Sequence, residues 1–145
     1  MIIFNYFSDR DDIPPKNPKD RQAYFLRKAA EVATKSIMTH KHGSIIVHGD
    51  TILSEGWNQY ITYYDHSFSI HAEIDAIQKY RKKIKNNVPF AEVELYVVRI
   101  GTNRMNNCLK YSKPCENCQK LIKRFGIPKA YYSTSDDFES YFKNL

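Results

Sequence analysis

The sequence predicts a layered α/β fold, a sheet flanked by helices with an antiparallel hairpin near its start. Residues 44–47 (Ser-Ile-Ile-Val) and 51–57 (Thr-Ile-Leu-Ser-Glu-Gly-Trp) flank the compact turn His48-Gly49-Asp50, which is the pattern of a β-hairpin. Helical and extended stretches then alternate. Val93-Glu94-Leu95-Tyr96-Val97-Val98 is rich in β-branched and aromatic residues and reads as the clearest strand.

Residues 1–20 read as an N-terminal strand or arm followed by a loop, since Pro14, Pro15 and Pro18 oppose a continuous helix. Asp20 is the expected cap of a helix from about Arg21 to Met38, whose Ala23, Leu26, Ala30, Ala33 and Ile37 recur at helical steps. A loop is expected from Asn58 to Ile70, carrying Tyr60, Tyr63, Tyr64 and Phe68. The second helix starts near His71, with Ala72, Ala76, Ile77, Tyr80 and Ile84 facing the core and Lys79–Lys85 charges outside. A third begins at Cys115, turns Leu121, Ile122 and Phe125 inward, and stops at Gly126 and Pro128. Ala130–Ser133 reads as a short strand, and Asp136–Asn144 as a last amphipathic turn or two. The chain is read as a single domain over 1–145, with 1–20 as its arm.

A hydrophobic fraction of 42% and 14% aromatics fit a globular protein rather than a disordered one. Apolar runs stay well short of the roughly 20 residues of a membrane span. Met1-Ile2-Ile3-Phe4 meets Asn5 and the charged Asp9-Arg10-Asp11-Asp12 too soon for a secretory signal. Three cysteines do not make an even disulfide framework, so a reducing, cytoplasmic setting without a membrane is expected. The net charge of +6 suits an anionic partner, a nucleotide phosphate or a nucleic acid. Arg99, Arg104, Lys110, Lys113, Lys120, Lys123 and Arg124 stand against Glu116 alone around the cysteine pair. A solvated face is the plainer alternative for that segment.

His71-Ala72-Glu73 and Pro114-Cys115-Glu116-Asn117-Cys118 carry the chemistry. Residues at i and i+3 are neighbours on a helix, so Cys115 and Cys118 can share one metal. Pro114 suits a helix entry, and a helix N-terminus favours ionised thiolates. One imidazole and two thiolates leave tetrahedral Zn²⁺ a corner for water, with Glu73 placed to move its protons. H-x-E…P-C-x-x-C is the established signature of zinc nucleobase deaminases, and this chain matches it. A closed Cys₃His site using Cys108 is an alternative that would leave Glu73 idle. A thioredoxin-like redox pair would leave both His71 and Glu73 idle.

From about residue 21 to 134 the chain resembles the cytidine and deoxycytidylate deaminase superfamily. The matching landmarks are Gly43-Ser44-Ile45-Ile46-Val47, Glu55-Gly56-Trp57-Asn58, the two zinc motifs, and Gly126-Ile127 through Tyr131-Tyr132-Ser133. The resemblance implies a three-layer α/β/α fold whose mixed sheet opens with the hairpin and continues with parallel strands. It implies Zn²⁺ held by His71, Cys115 and Cys118, with Glu73 as proton shuttle. It further implies substrate contacts at Asn58, at the backbone of Ala72 and Lys113, and at Tyr132, and a homo-oligomer, a dimer or larger.

Deoxycytidylate is the expected substrate, from the positive charge near the site and from Ile74-Asp75-Ala76-Ile77, which is similar to the deoxycytidylate and polynucleotide branches. The 58–70 segment has no cysteine, so the additional zinc site of some deoxycytidylate enzymes is not expected. The short tail after Ser133 puts a complete fifth strand in question. A tRNA adenosine or other polynucleotide deaminase is the alternative, with Tyr60, Tyr63, Tyr64 and Phe68 stacking on bases. Such aromatics more often pack under a loop or in a subunit contact. A third reading, from another class, is a non-catalytic nucleic-acid-binding module stabilised by zinc. His40, His42, His48 and His66 are read as polar surface residues.

Overall fold

The computed structural model describes residues 13–64, 66–83, 88–101, 109–134 and 142–144. Most of the expected N-terminal arm, Ile84, Arg104 and Cys108 lie outside those residues.

Helix α1 spans Pro18–Ala33, earlier at both ends than its periodicity suggests. Its cap is Asn17, whose side chain accepts from the N–H groups of Lys19 and Asp20 at 3.0 and 3.3 Å. Pro18 sits at the first helical position, where the missing N–H costs nothing, so it starts the helix rather than breaking it. The last turn tightens as Thr34, Lys35 and Ser36 donate to carbonyls three residues back, and the chain then leaves. Ile37, expected on the core stripe, is therefore 87% exposed.

Strands β1 (Lys41–His48) and β2 (Thr51–Trp57) form the expected antiparallel hairpin. The following segment is a second hairpin rather than a loop: β3 (Gln59–Tyr63) pairs antiparallel with β4 (His66–Ile70) as a separate two-stranded ribbon. Next come α2 (Ala72–Lys83), a 3₁₀ turn at Phe90–Glu92, β5 (Glu94–Ile100) and β6 (Leu109–Lys110). Helix α3 (Glu116–Phe125) and strands β7 (Lys129–Ser133) and β8 (Phe142–Asn144) complete the described chain. Gly126 closes α3 at φ 78°, the left-handed cap its position predicts. β8 stands where a helical turn was expected, adding an antiparallel strand beyond β7.

The main sheet runs β2-β1-β5-β7-β8, with β6 also on β5. Among the described strands β5–β7 is its one parallel pair. Strand periodicity divides the core into two layers. Ile45, Val47, Tyr96, Val98 and Ile100 face α1, packing on Phe25, Leu26, Ala29 and Ala33. Ile46, Leu95 and Val97 face the other way, onto Ala76, Ile77 and Tyr80 of α2 and Ile122 of α3. Helices on both faces make the α/β/α sandwich.

Two glycines set how close the helices come. A Cβ on Gly43 would stand 2.3 Å from the Ala29 carbonyl oxygen of α1. One on Gly56 would stand 2.3 Å from Ala76 N and 2.4 Å from the Ala72 carbonyl oxygen of α2. Gly56 thus seats the start of α2, where the chemical residues lie, directly on β2. Among the described residues no helix is long and apolar enough to cross a membrane.

Candidate active site

Two segments bring the expected ligands together. His71 is the residue before α2, and Cys115 is the N-cap of α3. Asp75 fixes the first: it is buried, and its Oδ2 accepts from the Trp57 N–H (3.2 Å), Gln59 Nε2 (3.1 Å) and Lys79 Nζ (2.8 Å). Ser112 fixes the second. Its hydroxyl donates to the Val97 carbonyl at 2.9 Å and accepts from the Ser133 N–H at 2.8 Å, holding the approach to Cys115 against β5 and β7. Gln119 Nε2 donates back to the Pro114 carbonyl at 2.8 Å.

His71 Nδ1 lies 3.1 Å from Cys118 Sγ and 3.8 Å from Cys115 Sγ. All three donor atoms lie within 4.8 Å of one another. Around tetrahedral zinc, bond lengths of about 2.0–2.1 Å to nitrogen and about 2.3 Å to sulfur put those donors roughly 3.6–3.8 Å apart. The set is close to that spacing. Glu73 supports the same conclusion from charge. It is 4% exposed, and burial raises its carboxyl above the ordinary range, opposed by its own backbone N–H and by His71. Burial also pushes the Cys118 thiol up, with the charges of Glu73 and Cys115 adding to the effect. Buried acidic groups without a cationic side chain are costly, and a divalent cation offsets that cost. The donors and the charge both fit zinc.

A cavity of about 240 Å³ opens onto this cluster. Its lining includes the expected His71, Ala72, Glu73, Asn58, Lys113 and Cys115. Tyr132 is not among the lining residues; it is buried, its ring edge-on to Tyr111 at 5.9 Å. Asn58 is more constrained than expected. Oδ1 accepts from the His42 N–H at 2.8 Å, and Nδ2 donates to the His40 carbonyl at 2.6 Å. One amide N–H and one lone pair of Asn58 are left over for a ligand. Pro114 of the cysteine motif lines the cavity too, and Met38, His42, Ser69, Ile70 and Ser112, which no motif singled out, complete the lining. His42 in particular is a half-buried cavity residue rather than a surface one. Its paired place beside Arg99 on β5 arises only in the sheet.

The basic segment divides. Lys113 stands exposed at the cavity rim, Arg99 Nη2 donates to His40 Nδ1 at 2.8 Å, and Lys120 pairs with Glu116 at 3.4 Å on the surface.

The family described as the cytidine and deoxycytidylate deaminase zinc-binding region matches residues 19–134. No curated relative matches the chain. Among solved structures it is similar to the dCMP deaminase of the cyanophage S-TIM5 in complex with dCMP and dUMP. That likeness has 24% identity over 83% of this chain and 85% of the other, with a TM-score of 0.57. Cytidine deaminase from Burkholderia pseudomallei is similar at 18% identity over 84% and 90% of the two chains, with a TM-score of 0.58. A diaminohydroxyphosphoribosylaminopyrimidine deaminase/reductase from Thermotoga maritima aligns over 79% of this chain and 29% of its own, at 23% identity and a TM-score of 0.53. At these identities the structures show a shared fold, whereas the family match covers most of the chain. The protein belongs to the cytidine and deoxycytidylate deaminase family and is a zinc-dependent deaminase.

Proposed function

We propose that the protein hydrolyses the amino group of a cytosine base on a small nucleotide or nucleoside, with dCMP converted to dUMP and ammonia as the preferred reaction. The observation that carries this reading is the meeting of His71, Cys115 and buried Glu73 at one cavity, with Cys118 grouped beside the first two as a third donor. The cavity lies below the roughly 300–1,000 Å³ of pockets for drug-sized ligands, which suits one base with its sugar. The likeness to a dCMP deaminase that binds dCMP and dUMP, and Lys113 at the rim, favour the nucleotide.

His71, Cys115 and Cys118 are the ligands in this reading. Zinc, when bound, makes hydroxide available near neutral pH. Glu73 takes a proton from the attacking water and passes it to the ring nitrogen beside the attacked carbon. A carbon–oxygen bond forms there and the carbon becomes tetrahedral. Glu73 then carries the remaining hydroxyl proton to the exocyclic amine. The carbon–nitrogen bond breaks, ammonia leaves and the carbonyl of uracil remains. The Ala72 N–H and the Lys113 carbonyl are the base-reading groups, and the free valences of Asn58 face the substrate. Tyr132, outside the cavity lining, is given no substrate contact in this reading.

The test is ammonia release from dCMP, cytidine, cytosine, guanine, adenosine and single-stranded oligonucleotides, with zinc measured alongside. dCMP is expected to be the best substrate, and Glu73→Gln to keep its zinc and lose about 10²–10⁴ in turnover. Wild-type rates in that variant would refute the role of Glu73.

The exposed Tyr60, Tyr64 and Phe68 beside the site favour a second reading, action on a base within a polynucleotide. Against it, residues 59–70 contain no lysine or arginine. Polynucleotide turnover that falls steeply with salt would support it. Tight oligonucleotide binding by a zinc-loaded but inert protein would instead support the non-catalytic module. A homo-oligomer completes the proposal, with the exposed cross-strand pair Ile61–Phe68 in its contact. Sedimentation of wild type against Phe68→Ser tests that contact.

A further inference from the structure

His42, half-buried, stands just before the buried run of β1 and lines the cavity with Met38 and Asn58. Its backbone is clamped on both sides. Asn58 Oδ1 accepts from the His42 N–H at 2.8 Å, and the Asn58 N–H donates to the His42 carbonyl at 3.3 Å. The His40 carbonyl, already held by Asn58 Nδ2, lies 3.3 Å from His42 Nδ1. A carbonyl only accepts, so Nδ1 carries the ring hydrogen and Nε2 of the neutral ring keeps a lone pair. Among the described residues Nε2 has no hydrogen-bond partner. The guanidinium of Arg99, the neighbour of His42 across β1–β5, is engaged with His40 Nδ1 at 2.8 Å.

We infer that His42 determines substrate specificity, its Nε2 accepting a hydrogen bond from a sugar hydroxyl of the bound nucleotide. This rests on the deaminase reading of the same cavity. A cytosine deoxynucleotide offers two kinds of donor, the exocyclic amine and the sugar hydroxyl. The amine must face Glu73 and the ligands, which come from the starts of α2 and α3. His42 comes from β1, so the hydroxyl is the donor left for it. Burial pulls the ring pKa down to about 4; the bond to the His40 carbonyl opposes this, and the charges of Arg99, His71 and His40 reinforce it. At neutral pH Nε2 therefore presents a lone pair, not a hydrogen. A site built around such an acceptor rejects an analogue that lacks the hydroxyl, because the polar atom is then left unpaired.

The experiment compares ammonia release from dCMP and from 2′,3′-dideoxycytidine monophosphate by the full zinc-loaded chain, as wild type, His42→Val and His42→Gln. Wild type should favour dCMP by about tenfold in kcat/KM. His42→Val should lose that preference, through a KM that rises more for dCMP than for the dideoxy compound. His42→Gln, which keeps an acceptor oxygen, should retain part of it. Zinc content and melting temperature show whether each variant folds. Equal losses on both nucleotides, or a preference that survives His42→Val, would overturn the inference and leave the deaminase reading standing. A wild type that releases no ammonia from dCMP would sink that reading, and this one with it.

Discussion

The start of α2 and the β3–β4 ribbon that leads into it are consecutive in the chain and built on opposite principles. At the helix start every neighbour is close: Gly56 lies under Ala72 and Ala76, Asp75 ties down Trp57 and Gln59, and Ala72 and Glu73 are buried. In the ribbon Tyr60, Ile61, Tyr64 and Phe68 are 46–82% exposed, and the two strands bond to each other rather than to the main sheet. Metal chemistry needs donors fixed to fractions of an ångström, which packing supplies. A two-stranded ribbon is marginal alone in water, so its apolar surface is suited to a contact rather than to holding a ligand atom.

Cys118→Ala should show the largest effect on the rigid side. It removes a buried ligand, and zinc content and turnover should both fall to background. Retained stoichiometric zinc would mean that the ligand set is different. Gly56→Ala comes next. The added methyl would meet α2 backbone at 2.3 Å, so a loss of about 1–3 kcal/mol is expected in urea unfolding.

His42 gives a smaller, pH-dependent signal. Its folded pKa of about 4 lies below the ordinary value of 6.5, so between those pH values the unfolded chain binds the extra proton. Stability contributed by the neutral ring is present above pH 6.5 and is lost as pH falls towards 4. His42→Gln should therefore lose less of its melting temperature between pH 7 and pH 5 than wild type, by a few degrees on the order expected for this size. Identical slopes would contradict the burial argument. Phe68→Ser should be mildest, within about 0.5 kcal/mol for the folded monomer with its zinc retained. A ribbon change as costly as Gly56→Ala would erase the contrast between the two regions.

The zinc cluster was legible because its chemistry resides in residue type and spacing: a thiol pair at i and i+3, a proline before it, and a histidine two residues from an acid. The sheet hairpin and α3 were legible for the same local reasons, through Gly49 and Gly126. Pro18 shows how a local sign can point two ways, breaking a helix inside it and starting one at its first position. The ribbon was hidden because the alternation Ser67-Phe68-Ser69-Ile70 is short, and its partner strand puts Tyr60 and Ile61 on opposite faces, which blurs the period-2 signal. His42 was hidden for a deeper reason. Its place depends on Asn58, sixteen positions away, and on Arg99 across the sheet, and neither contact leaves a trace in the residues beside it.

X-ray absorption at the zinc edge of the purified protein tests the central claim most directly. Two sulfurs at about 2.3 Å with nitrogen and oxygen at about 2.0–2.1 Å are expected, as for a catalytic site with an open corner. A shell of three sulfurs, with Cys108 bound beside Cys115 and Cys118, would close that corner and contradict the assignment of Glu73 as a catalytic acid and base.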